Sequence, residues 1–113
     1  MGAATVVALV SACGSGADSK RVHDAVDRAG SWAATVKAVT EQWAQARVSL
    51  RFTRTTIDTA SSELTRDATS IRSLDPSAAA RLDRLRRSID PVMDAVVRNE
   101  PDRARDLARS LTP

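Results

Sequence analysis

A chain of 113 residues supports one domain at most. Hydrophobic residues make up 42% and aromatics only 3%, with twenty Ala against four Gly and four Pro, which favours helices and disfavours a sheet sandwich or barrel. Seventeen basic groups face fourteen acidic ones, and the net charge of +3 is spread along the chain rather than gathered into a nucleic-acid footprint. The single Cys leaves no internal disulfide to form.

Residues 1–17 carry no charge; the first is Asp18. Residues 3–12 form a short apolar run containing Val6, Val7, Ala8, Leu9 and Val10. Ten residues of helix span about 15 Å, half a bilayer core, so the run is too short to cross a membrane. It has the length of a signal-peptide apolar region, although only Met1 and Gly2 precede it where such segments carry a cation. An N-myristoylation signal would want Ser or Thr at the sixth position, where Val6 stands.

The run ends in Val10-Ser11-Ala12-Cys13, followed by Gly14-Ser15-Gly16. An aliphatic residue, two small residues and a Cys resemble the lipobox of bacterial lipoproteins. The resemblance implies that the Cys13 thiol receives a diacylglyceryl group and that cleavage makes Cys13 the new N-terminus. It divides the chain into a cleaved signal peptide (1–12), a lipidated Cys with a flexible tether (13–17) and a helical domain (18–113). The expected location is the cell membrane, lipid-anchored and facing outside the cytoplasm. Two acyl chains would make that anchor stable, whereas one holds only reversibly. The alternative reading is an apolar tail with a buried thiol.

From Asp18 onward a helical period dominates. Val22, Val26, Ala29, Ala33, Val36, Thr40 and Trp43 form one stripe, widened by Trp32 and Val39, and predict a helix over 18–47. Gly30-Ser31 marks a possible close approach. Val48, Leu50 and Phe52 alternate like a strand, but a lone strand has no partner, so a turn near 48–51 is expected instead. A second stripe holds Ile57, Ala60, Leu64, Ala68, Ile71 and Leu74, with Glu63, Arg66, Asp67 and Arg72 assigned to the outer face. Asp75-Pro76 reads as a cap followed by Pro at the first helical position. Leu82, Leu85, Ile89, Val92 and Val96 form a third stripe with Met93 and Val97 alongside, and Asp90-Pro91 predicts a kink or restart within it. After a break at Asn99-Glu100-Pro101, a short amphipathic helix over 101–111 carries Ala104, Leu107, Ala108 and Leu111.

The expected fold is all-α: a small helical bundle built on a long antiparallel hairpin, with a Pro-broken C-terminal helical segment. Trp32 and Trp43 are expected to contribute most to burial. The Trp32, Val36, Val39, Trp43 pattern with Arg51-Phe52 also resembles small exported helical proteins of unknown function, a resemblance that brings no activity with it.

Chemistry-bearing groups are few. His23 is the only His, and with Asp24 and Asp27 it makes too small a set for a closed metal site. Glu63 and Asp67 lie one helical turn apart beside Arg66 and read as a solvated ion-pair face. Glycine-rich phosphate loops, a nucleophile elbow and paired Cys motifs are missing from the sequence. No cofactor, metal or catalytic residue is therefore expected. The densest basic patch, Arg81, Arg84, Arg86 and Arg87, is the candidate interaction surface, for anionic headgroups or an acidic partner. The expected role is a non-catalytic protein-interaction or structural module held at the envelope through Cys13, with a protein partner and no nucleic acid. The alternative is a small-ligand or metal-binding lipoprotein, whose pocket would lie among Trp32, Trp43 and Phe52.

Overall fold

The computed structural model describes side chains for residues 16–113 and helical assignment for residues 2–113. Val10, Ser11, Ala12 and Cys13, and with them the expected signal peptide and acylation site, lie outside the residues whose side chains are described. Four helices follow one another: α1 (Gly2–Ala44), α2 (Leu50–Ile71), α3 (Pro76–Val97) and α4 (Pro101–Arg109). Gly16 and Ala17, expected in the tether, already lie on α1.

Each break has a local cause. At the end of α1, Ala46 takes a left-handed φ of 59° while the Arg47 N–H donates to the Gln42 carbonyl, five residues back. Asn99 repeats this after α3 with φ 57°, and the Glu100 N–H reaches the Ala95 carbonyl. This is the usual way to satisfy the last carbonyls of a helix. Ser49 starts α2, its hydroxyl accepting from the Phe52 N–H at 3.1 Å. Asp75 starts α3 as the sequence predicts, its carboxylate accepting from the Ala78 N–H at 3.0 Å ahead of Pro76. The turn falls at 45–49, so α1 stops short of residue 47, and of the residues that alternate like a strand Val48 lies in the turn while Leu50 and Phe52 begin α2.

Of the kink or restart expected at Asp90-Pro91, the restart does not occur, because α3 continues through both residues to Val97. Proline removes one backbone donor, which leaves the Arg87 carbonyl without its partner. Arg87 and Pro91 are both exposed, which leaves that position open to solvent.

The helices pack as an antiparallel bundle. Arg21 reaches Ser70 and Arg28 reaches Asp67, pairing α1 and α2 in opposite directions about the 45–49 turn. Arg72 reaches Asp83 across the next turn and does the same for α2 and α3. α2 packs most heavily on α3, α1 and α3 touch least, and α4 lies against both of them.

The core is aliphatic. Ala29, Ala33 and Val36 of the first stripe, Ile57, Ala60, Leu64, Ala68 and Ile71 of the second, and the whole third stripe from Leu82 to Val96 are buried, with Ala104, Ala108 and Leu111 closing the groove from α4. Trp32 and Trp43 are only half-buried against this core. The largest fully buried side chains are instead Ile57, Leu64, Ile71, Leu85, Ile89 and Leu111. Val97, expected beside the third stripe, is half-exposed at the end of α3.

Candidate functional site

Three surfaces carry functional potential, and ion pairs hold the helices that build them. Arg28 Nε donates to Asp67 Oδ2 at 2.9 Å and Nη2 donates to Oδ1 at 3.1 Å. Asp67, assigned to the outer face from its helical register, is therefore buried, because an inter-helix partner satisfies both of its oxygens. The same bond holds the Arg28 guanidinium above its ordinary value. Glu63 remains with Arg66 at 3.9 Å as a surface pair.

Glu41 on α1 clasps α4. Arg105 donates to it twice, at 2.6 and 3.0 Å, Gln45 donates at 2.8 Å, and Arg109 lies 3.9 Å away. The hydrogen bonds from Arg105, then Gln45, hold the Glu41 carboxyl at about 2, well below its ordinary 4.5.

The first surface is the end of the bundle formed by the start of α2 and the end of α3. Leu50, Phe52 and Val97, the exposed large apolar side chains among the described residues, all sit there; Phe52 is 56% exposed. Arg47 in the preceding turn and Arg51 and Arg54 on α2 lie at the same end and form no ion pair among the described residues. A shallow recess of about 280 Å³ opens between Leu50, Arg51, Arg54 and Asp58. Sequence reading placed Phe52 in an inter-helix pocket with Trp32 and Trp43. The structure does not bring these three together, since Phe52 points outward while both Trp side chains pack on the core.

The second surface is the predicted basic patch, and it divides. Arg81, Arg84 and Arg87 are exposed on the outer side of α3. Arg86 falls on another side of the helix, where it is half-buried and lies 3.5 Å from Asp90. Arg72 is taken by Asp83 at 2.8 Å. The patch is thus three cations rather than four.

The third surface was not anticipated. A cleft of about 560 Å³ opens at the opposite end of the bundle from Phe52, between α1 and the start of α3. Val22, Val26, Leu74 and Ala78 make its apolar floor. Arg81, His23, Asp18 and Asp75 stand at its rim. The sequence signal for it was the register of Val22 and Val26, whose stripe extends beyond the reach of the short α4.

His23 lies 3.2 Å from Asp27, and Asp24 bonds Lys20 at 2.8 Å, which lowers the Asp24 carboxyl. Among the described residues, three or more metal-binding side chains do not gather anywhere. Also among the described residues, no helix is long and apolar enough to cross a membrane. Comparisons with protein-family models, with curated proteins and with solved structures return no match for this chain.

Proposed function

We propose that this chain is a lipid-anchored, non-catalytic interaction module of the cell envelope, tied to the membrane through Cys13 and facing away from the cytoplasm. The lipobox residues Val10, Ser11, Ala12 and Cys13 support the anchor. The observation that carries the interaction role is the exposure of Leu50, Phe52 and Val97 at the end of the bundle that also holds Arg47, Arg51 and Arg54. Side chains of this size cost stability in solution when exposed together, and such clusters mark contact surfaces.

That end lies far from the anchor. From Gly16 to Ala44 the helix rises about 42 Å. An anchored bundle would display Phe52 outward, to a protein partner with an apolar socket and an acidic rim. Arg81 and Arg84 lie in the half of α3 nearer the anchored end, where headgroups are within reach, and Arg87 stands at its middle. The charged pairs support a non-catalytic reading, because Arg28–Asp67 and Glu41–Arg105 are spent on holding helices together.

A photo-crosslinking amino acid placed at residue 52 in living cells tests this reading. The expected result is a discrete crosslinked product in the membrane fraction that is lost with Cys13→Ala and missing when the crosslinker stands at the exposed Arg66. A product pattern identical at positions 52 and 66 would overturn it.

A further inference from the structure

The groove between α1 and α3 is filled along only part of its length. α4 enters it beside Glu41, where Arg105 is bound, and buries Ala104, Ala108 and Leu111 along it. The chain then reaches Gly30, where the Pro113 side chain comes within 3.9 Å of the position a Cβ would occupy. Beyond Gly30 toward the start of α1, no fourth segment covers the groove among the described residues, and it opens into the 560 Å³ cleft. Its size is that of a small-molecule site. Its floor continues the apolar surface on which α4 packs: Val22 and Val26 are half-buried against the core, and Ala78 belongs to it.

The rim decides what chemistry fits. Asp75 is occupied in capping α3. His23 is turned to Asp27. Asp75 keeps its negative charge while it caps, and the two rim charges free of any such bond or ion pair among the described residues are Arg81 and Asp18, of opposite sign. We propose that this cleft is a binding site for a zwitterionic amphiphile, whose apolar body covers Val22, Val26, Leu74 and Ala78 while its anionic group meets Arg81 and its ammonium meets Asp18. A guanidinium suits a carboxylate or phosphate, and a carboxylate suits an ammonium. A ligand of one sign would pair with one of these two charges and leave the other, which shares the ligand's sign, unmatched. Two sources share this chemistry: an ethanolamine phospholipid headgroup with its acyl chain, and a free apolar amino acid.

The inference goes beyond the anchoring role and is tested without it, on the full chain carrying Cys13→Ser. Isothermal titration with monomeric lysophosphatidylethanolamine, with an alkyl phosphate, with an alkylammonium and with free leucine separates the contributions. Saturable one-to-one binding of at least one zwitterion is expected, weakened about tenfold by Arg81→Gln and about tenfold by Asp18→Asn, the scale of one charge-assisted hydrogen bond. Alkyl phosphate binding responds to Arg81→Gln and not to Asp18→Asn; alkylammonium binding shows the reverse. Binding of the lysolipid alone assigns a headgroup source, and binding of leucine assigns the amino acid. Both side chains are at the surface, so unchanged thermal melts establish that the variants fold. Failure of both zwitterions to bind, or equal affinity in the wild type and both variants, overturns the proposal. Either result leaves crosslinking at residue 52 unaffected, so the two readings fail separately.

Discussion

Arg28 of α1 and Asp67 of α2 meet across the hairpin through two parallel hydrogen bonds, at 2.9 and 3.1 Å. The carboxylate is buried while the guanidinium is half-exposed. Removing the cation therefore strands a charge that cannot rehydrate fully. Arg28→Met is expected to lower stability by about 1–2 kcal/mol, and adding Asp67→Met to it restores most of the loss. Urea unfolding midpoints at constant slope measure both, and an unchanged midpoint in Arg28→Met would count against the pair.

The clasp between Glu41 and Arg105 predicts an acid-sensitive α4. The folded carboxyl titrates at about 2, below its ordinary value of 4.5. A depressed folded value means that the carboxylate's contribution is complete above the ordinary range and is lost as pH falls from about 4.5 toward 2. Thermal midpoints measured across that window should fall more steeply in the wild type than in Glu41→Gln, which has lost this titration. Parallel curves would show that the clasp contributes nothing.

Ala46 holds a left-handed conformation, with φ at 59°. Residues with a Cβ pay about 1 kcal/mol there, and glycine does not. Ala46→Gly is expected to stabilise the fold by roughly that amount, read from chemical denaturation. Destabilisation would mean that the turn conformation is wrong.

The same residue explains what the sequence revealed and what it hid. The end of α3 was legible because Asn99 and Pro101 announce it, and Asn tolerates the left-handed position. The end of α1 was placed near 47 because Ala46, a strong helix former, stands where glycine would signal a stop. The apolar stripes of α2 and α3 were legible because periodicity alone fixes a buried face. Asp67 was not, since its burial depends on Arg28, 39 residues away in sequence. Pro91 leaves a kink and a restart both open in the sequence, because a proline inside a helix bends it or breaks it according to how its surroundings hold the two halves together. The outward Phe52 and the cleft beside Arg81 depend on how far α4 extends and where α2 begins, which no single helix encodes.

Thr40 is fully buried, and its hydroxyl has no hydrogen-bond partner. Valine has the same branched shape without the polar atom. Thr40→Val should raise stability by about 1 kcal/mol, measured by urea unfolding. A loss of similar size would reveal a partner for the hydroxyl.

The anchor is tested most directly by intact mass spectrometry of the chain recovered from the membranes of cells that express it. The account predicts a polypeptide beginning at Cys13 and heavier than its sequence by a diacylglyceryl group. A full-length chain with a bare thiol would contradict it.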